Sequence, residues 1–327
     1  MIEFQNVASY VLELLRIFNP NLGKRPEKSL LIGHFVIQGI ITVNYNFMAK
    51  DKYTAVWVSH SSIGDFLKCP RAYFLRNMYR NERGRKINLV SPALSLGISV
   101  HETLEGLLNY KAEERALQPL EAQFEDNWKQ VTGKLGGFKS AKEEAEAKER
   151  GLAMIRRVAK NFGPLLKKAV KLKEHANNMP PNFYLSEEHN IILSGKIDWL
   201  EYVEADDSVR VIDFKTGKRD EDADSLQLPI YSLLLANLQG RKVSGAAYWY
   251  IDRNDEPTEV SLPDISVAQK KVLEAALKVK QAREAGQFTC PRGAQGCFAC
   301  TPFEKILKGQ AELIRVDETR KTEIYLV

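Results

Sequence analysis

The sequence predicts an α/β protein in which a central mixed β-sheet is flanked by helices. Apolar residues recur at helical spacing on both sides of the middle of the chain, over 59–80, 96–110, 139–175, 226–238 and 267–285. Between them, 183–204, 209–215 and 243–251 are rich in β-branched and aromatic residues, as strands are. Helices before and after a block of strands indicate one mixed sheet covered by helices.

Length and composition indicate a globular protein with a buried core. The chain has 327 residues, and 44% of them are hydrophobic. Its formal net charge of +5 permits nucleic acid as a partner but does not require it. We expect an N-terminal extension over 1–47, a main domain over 48–310 with inserted helices over about 111–180, and a C-terminal tail over 311–327.

The N-terminal extension contains an apolar run of 14 residues from Leu30 to Val43, interrupted by His34 and Gln38. A membrane span needs about 20 apolar residues, so we expect a strand or a buried helix and no membrane contact. The preceding segment lacks the basic start of a signal peptide, and we expect a cytoplasmic protein. Residues 1–47 are either native or precede a natural chain start at Met48.

Two acidic residues and a lysine lie in the predicted strands between 195 and 217. Asp213 and Lys215 follow the largely apolar stretch Val209 to Ile212, and because side chains alternate along a strand they project from the same face. An aspartate-rich turn over 205–208 would bring Asp198, on the preceding strand, level with Asp213. The alternative is a surface hairpin with solvated charges, but a buried strand that ends in two opposite charges needs a reason.

These residue types suit the hydrolysis of a phosphodiester. Carboxylate oxygens are ligands for Mg²⁺ or Mn²⁺, and the metal ion lowers the pKa of its bound water. A neighbouring lysine would orient or deprotonate that water and stabilise the developing negative charge. Asp198, Asp213 and Lys215 therefore form a minimal candidate phosphodiesterase site.

Four cysteines form a second candidate site. Cys290, Cys297 and Cys300 cluster near the C-terminus, and Cys69 lies more than 200 residues upstream, just before Pro70. Because proline lacks an amide hydrogen, we expect the first helix to kink or to restart after Cys69. Four thiolates satisfy either one zinc ion or one [4Fe–4S] cluster, and the spacing does not separate the two. A site that closes so long a loop would have a structural role.

A basic segment runs from Lys68 to Lys86. It contains seven cations against one acid, Glu82, with Tyr73, Phe74 and Tyr79 interleaved. It is either a surface that contacts phosphates and stacks on bases, or a solvated helix face. No Gly-rich phosphate loop of the Walker type is present, so any unwinding would come from a partner.

Taken in order, these motifs resemble the RecB-like branch of the PD-(D/E)XK nucleases, which includes AddB-like and CRISPR-associated exonucleases. The similarity covers about residues 56–303 in six pieces: Ser62 to Phe74, Gly97 to His101, Gly195 to Asp198, Ile212 to Gly217, Gln227 to Tyr231, and the three C-terminal cysteines. The resemblance implies a restriction-endonuclease-like core.

The resemblance also implies roles for individual residues. His101, Asp198 and Asp213 would ligate Mg²⁺ or Mn²⁺ together with the Phe214 carbonyl, and Lys215 would be the catalytic lysine. Gln227 and Tyr231, four residues apart on one helix face, would position Lys215 or the DNA. The cysteines Cys69, Cys290, Cys297 and Cys300 would hold a [4Fe–4S] cluster, with Zn²⁺ as the alternative.

The function that the resemblance implies is a metal-dependent DNA exonuclease acting on single strands or DNA ends. Its task would be recombination and repair or CRISPR adaptation, with a helicase or CRISPR adaptation proteins as partners. A function of another class is a non-catalytic DNA-end-binding subunit, in which an iron–sulfur or zinc centre and the basic surface do the binding.

Overall fold

The computed structural model describes residues 54–172 and 179–327. The expected N-terminal extension, with its apolar run and Met48, lies outside the described residues, and so does the end of the helix predicted over 139–175. Among the residues that are described, no helix is long and apolar enough to cross a membrane.

The described residues contain ten strands and eight α-helices. The strands are β1 (Val56–Val58), β2 (Lys86–Leu89), β3 (Asn182–Ser186), β4 (Ile191–Ser194), β5 (Trp199–Val203), β6 (Ser208–Lys215), β7 (Lys242–Tyr250), β8 (Thr258–Val260), β9 (Glu312–Asp317) and β10 (Thr322–Leu326). The helices are α1 (His60–Lys68), α2 (Pro70–Tyr73), α3 (Pro92–Gly106), α4 (Leu120–Trp128), α5 (Ala141–Lys160), α6 (Gln227–Leu238), α7 (Ile265–Ala285) and α8 (Thr301–Leu307).

The predicted α/β class is confirmed, but the expectation of a single mixed sheet is wrong. Within the described residues the strands form three mixed sheets, ordered β1-β4-β3, β2-β10-β9 and β5-β6-β7-β8. The division between the first and the last falls at residues 195–198, which are not in a strand. There Gly195 passes so close to α6 that a Cβ would lie 2.7 Å from Leu234 Cδ1.

Strand β6 is antiparallel to β5 and parallel to β7, and it lies between two layers of helices. Val209 and Val211 pack in one core with residues of α6 and α7, whereas Ile212 and Phe214 pack in a second core with α3, α4 and α5. This alternation follows from the two-residue period of a strand. Asp213 therefore shares the α6 side of β6 with Val209 and Val211.

The segment expected to contain inserted helices includes α4 and α5, which pack on α3. Gly151 in α5 allows the closest approach, because a Cβ there would lie 2.5 Å from Phe124 Cζ and 2.9 Å from Leu96 Cδ1. Buried Arg115 fixes this layer by donating to the carbonyls of Leu165 and Lys167. The inserted helices thus complete the second core.

The first helix restarts at Cys69, as the position of Pro70 predicts. Helix α1 ends at Lys68 and α2 begins at Pro70, with Cys69 extended between them at φ −164° and ψ 109°. The Cys69 Sγ accepts a hydrogen bond from the Ala72 N–H at 3.4 Å and so caps α2. The restart buries this thiol completely.

The segment expected as a C-terminal tail, 311–327, contains β9 and β10. Strand β10 pairs with β9 in antiparallel fashion and with β2 in parallel, with Glu323 opposite Ile87. The last residues of the chain are therefore joined to residues 86–89.

Candidate active site

The ends of β5 and β6 bring Asp198 and Asp213 together. Trp199 pairs with Ile212 in the antiparallel ladder, which sets the preceding Asp198 opposite Asp213. Asp198 Oδ2 accepts a hydrogen bond from the Phe214 N–H at 2.9 Å. Because the N–H and C=O of one strand residue point to the same side, the Phe214 carbonyl also faces Asp198. Three of the predicted site residues thus meet at one end of the sheet.

The Asp213 carboxylate is buried and held by several donors. Its Oδ1 accepts from Tyr231 Oη at 2.6 Å and from Gln227 Nε2 at 2.7 Å, and its Oδ2 lies 2.8 Å from Lys215 Nζ. Burial and the negative charge of Asp198 raise the pKa of Asp213 to about 6, against the opposing effect of Lys215. Gln227 and Tyr231, on α6, therefore contact the catalytic candidates directly.

The Lys215 ammonium lies between two carboxylates. Besides Asp213, its Nζ lies 2.9 Å from Glu221 Oε2, and it also bonds to Gln227 Oε1. Burial lowers the pKa of Lys215, but the two carboxylates outweigh burial and raise it. Lys215 is thus a fixed cation in this arrangement. Glu221 was not predicted from the sequence, because it lies in the aperiodic loop 216–226.

His101 on α3 faces Asp198. Its Nδ1 lies 3.4 Å from Asp198 Oδ1 and 3.5 Å from Glu105 Oε1. Burial lowers the pKa of His101, but hydrogen bonds to Asp198 and Glu105 outweigh that effect and raise it to about 10. The Asp198 and Glu105 carboxylates therefore favour a positive charge between them and the His101 ring. That charge could be supplied by a proton on His101 or by a divalent metal ion.

One group with the donors for a metal ion consists of His101, Glu105 and Asp198, whose ligand atoms all lie within 4.8 Å of one another. Two of the predicted ligands belong to it. Asp213 lies outside this group of three, and its oxygens contact Lys215, Gln227 and Tyr231. Glu105 was missed in the sequence, although its place four residues after His101 puts both on one helix face.

Gly97 explains how α3 comes near this end of the sheet. A Cβ at residue 97 would lie 3.3 Å from Thr216 Oγ1, one residue beyond Lys215. A larger residue at position 97 would therefore require the Thr216 side chain to shift by a few tenths of an ångström. A cleft of about 390 Å³ opens at the other end of α3, where Glu105, Lys196 and Asp198 are among its lining residues.

The four cysteines converge at a second place. Their Sγ atoms lie within 4.8 Å of one another, with Cys297 and Cys300 3.8 Å apart, and all four thiols are free of disulfides. Backbone N–H groups donate to the sulfurs of Cys290 and Cys300, as they do in Cys69. Such hydrogen bonds favour thiolates, and the residues therefore fit a four-thiolate metal centre.

Part of the positive charge on the basic segment is paired with acids. Ion pairs join four of its arginines to acids, namely Arg71 to Glu304, Arg76 to Asp65, Arg83 to Glu323 and Arg85 to Glu318. Tyr73, predicted as a possible stacking residue, is buried. The acids come mainly from the C-terminal 24 residues, so the local charge count could not reveal them.

Comparison with known families identifies the family to which the chain belongs. The family description "PD-(D/E)XK nuclease superfamily" matches residues 57–305. The chain belongs to this superfamily. It is accordingly a hydrolase that acts on ester bonds in nucleic acid.

Other comparisons are distant. The chain is similar to the crystal structure of a provisionally named exonuclease from Eubacterium rectale, with 12% identity and a TM-score of 0.42. The alignment covers 86% of this chain and 97% of that one. No curated protein matches the sequence.

Proposed function

We propose that this nuclease is a metal-dependent DNA exonuclease that acts on single strands or DNA ends. The observation that supports it best is the meeting of Asp198 and Asp213 at the ends of β5 and β6, beside Lys215. In this arrangement, acidic groups that attract a cation lie next to an ammonium that can contact a phosphate. Preference for ends and for DNA rests on the resemblance to RecB-like nucleases.

His101, Asp198 and the Phe214 carbonyl would hold the Mg²⁺ or Mn²⁺ ion, with Glu105 as a further oxygen ligand. Asp213 would complete the site from the adjoining strand. When bound, the ion would polarise a phosphoryl oxygen and lower the pKa of its water. Because imidazole is a more typical ligand for Mn²⁺ than for Mg²⁺, we expect the higher activity with Mn²⁺.

Lys215 would stabilise the negative charge that develops on the phosphate. Its position is set by Asp213 on one side and by Glu221 on the other, so it needs little rearrangement when substrate arrives. Gln227 bridges the pair, since its amide nitrogen donates to Asp213 while its oxygen accepts from Lys215. Gln227 and Tyr231 would thus position the catalytic groups.

We further propose that the four cysteines hold a structural metal centre. The resemblance favours a [4Fe–4S] cluster. The 3.8 Å between the Cys297 and Cys300 sulfurs is also compatible with the zinc alternative, because two thiolates at about 2.3 Å from one tetrahedral ion would lie roughly that far apart. Anaerobic purification with metal analysis separates them: iron with absorbance near 400 nm supports the cluster, and zinc alone excludes it.

The cellular task would be recombination and repair or CRISPR adaptation, with a helicase or CRISPR adaptation proteins as partners. Support for this part comes from the resemblance. Co-purification of the chain from its own cell extract, with the partners identified by mass spectrometry, tests it.

The test of the enzymatic proposal compares wild type with Asp213→Ala and Lys215→Ala on end-labelled single-stranded DNA in Mn²⁺. We expect wild type to release short products from one end and both variants to be inactive. An internally labelled circular strand should resist wild type if the enzyme needs an end. If wild type cuts no better than the variants yet binds DNA ends, the non-catalytic subunit is the correct function.

A further inference from the structure

Phe298 is the most conspicuous aromatic side chain on the described surface. It is 80% exposed, whereas its neighbours Cys297 and Cys300 are buried. The fold gains little from an aromatic ring in this position. The backbone on both sides is nevertheless held in a turn, because the Cys297 N–H donates to Cys300 Sγ and the Thr301 N–H donates to the Cys297 carbonyl. The ring is therefore presented to solvent from a rigid support.

A cleft of about 330 Å³ adjoins this ring. Its lining includes Phe298 and Leu94, the cations Lys68 and Arg76, and one acid, Asp65. Arg76 is paired with Asp65, but Lys68 is exposed and forms no ion pair with any described residue. The cleft thus combines an aromatic face with a cation that is available to an anionic ligand.

Helix α3 connects this cleft to the candidate metal site. Ser91 caps its first turn. The exposed side chain of Leu94 is followed four residues later by that of Ile98, and His101 comes three residues after Ile98. Residues at these spacings lie on one helix face. Leu94 and His101 are about 10 Å apart along the axis, at a rise of about 1.5 Å per residue. An exposed apolar row therefore runs from the cleft to His101.

We propose that Phe298 stacks on an unpaired base of the DNA strand while Lys68 contacts its phosphate, so that the strand lies along α3 and reaches the metal site. This inference rests on the proposed nuclease function and adds the path of the substrate. The occupant is a single strand, because bases in a duplex already stack on each other and cannot present a face to the ring. The free cation beside the ring agrees with a phosphate backbone rather than an apolar protein segment.

The test measures binding without cleavage. Fluorescence anisotropy with a labelled oligo(dT) strand is carried out on the full chain in Ca²⁺, and the metal content of each variant is recorded. Phe298→Ala should weaken binding roughly 5- to 150-fold, since stacking of one base is worth about 1–3 kcal/mol. Phe298→Trp should bind as well as wild type. Leu117→Ala is the matched control, because Leu117 is also 80% exposed and lies outside the cleft.

Lys68→Ala should weaken binding and reduce its dependence on salt by about one phosphate contact. The inference is overturned if Phe298→Ala, with normal metal content, binds the strand as tightly as Leu117→Ala. It is also overturned if Phe298→Leu binds as well as Phe298→Trp, because an aromatic face is then not required. Either result leaves the proposed function intact as long as Asp213→Ala abolishes cleavage. Loss of the proposed function would appear as absent cleavage by wild type.

Discussion

Asp198 Oδ2 accepts a hydrogen bond from the backbone N–H of Phe214 at 2.9 Å. The bond joins the residue before β5 to the next-to-last residue of β6, and it fixes the carboxylate by backbone rather than by another mobile side chain. Its second oxygen, Oδ1, lies 3.4 Å from His101. Asp198 is therefore the residue that links the strand ends to helix α3.

Asp198→Asn should separate the effect of the negative charge at residue 198 from the effect of its hydrogen bond with the Phe214 N–H. The amide oxygen can still accept from the Phe214 N–H, so we expect the free energy of unfolding to change little. The lost negative charge weakens metal binding, and because the ion contributes several kcal/mol to the transition state we expect cleavage to fall at least ~100-fold. Initial rates on end-labelled DNA and urea denaturation measure the two effects.

The control for Asp198→Asn is Asp126→Asn, which alters an exposed ion pair with Lys129. A variant as active as this control would contradict the prediction.

Glu105→Gln should raise the Mn²⁺ concentration that gives half-maximal cleavage. We expect a shift of about 10- to 100-fold, the usual cost of removing a supporting group from a metal site. Glu102→Gln is the matched control, since Glu102 is exposed on the same helix and does not belong to the His101 group. Titration of Mn²⁺ at saturating DNA provides the measurement. Identical titrations for both variants would remove Glu105 from the metal site.

Tyr231→Phe removes the donor that lies 2.6 Å from Asp213 Oδ1. We expect the free energy of unfolding to fall by about 1.5–3 kcal/mol, because the lost hydrogen bond is to a buried carboxylate. Tyr184→Phe should be neutral or stabilising, since the Tyr184 hydroxyl is buried with no hydrogen-bond partner among the described residues. Urea denaturation of the pair checks this. Equal destabilisation of both would show that the Tyr231 hydroxyl contributes nothing specific.

Cys69→Ser should abolish the proposed metal centre, because one of its four ligands would be lost. We expect the variant to purify with less than the wild-type metal content and to unfold at a lower temperature. A chelator should lower the melting temperature of wild type toward that of the variant and leave the variant unchanged. Metal analysis and thermal unfolding under anaerobic conditions measure these quantities. Full metal content in the variant would show that Cys69 is not a ligand.

Gly151→Ala should destabilise the protein although alanine favours helices. The helix preference would contribute about 1 kcal/mol. A Cβ only 2.5 Å from Phe124 Cζ forces buried side chains to move, which costs about 1–3 kcal/mol, and we expect the net free energy of unfolding to decrease. Gly64→Ala, also within a helix but with nothing within 4 Å of its Cβ, should be stabilising by about 0.5–1 kcal/mol. Thermal or urea unfolding of the two variants decides the sign.

The sequence predicts what depends on local periodicity. The two-residue period placed Asp213 and Lys215 on one face, and the short turn over 205–208 placed Asp198 level with Asp213; the register of β5 with β6 agrees with that arrangement. Pro70 likewise identified the helix restart at Cys69. These features are determined by residues that are near one another in the chain.

What the sequence did not predict depends on distant partners. Glu221 reaches Lys215 from an aperiodic loop, and Glu323 neutralises arginines that lie more than 200 residues earlier. A count of local charge cannot include such partners. The division of the strands into three sheets is of the same kind, because β2 pairs with β10, more than 200 residues later in the chain.

The position of Cys69 has a consequence for biosynthesis. Its three companion thiols lie more than 200 residues later in the chain, so a ribosome must add all of those residues before the proposed metal centre can form. Synthesis proceeds at about 5–20 residues per second, so the Cys69 thiol would remain without its three partners, and open to oxidation, for tens of seconds. Chaperones that shield nascent chains would matter most during that interval.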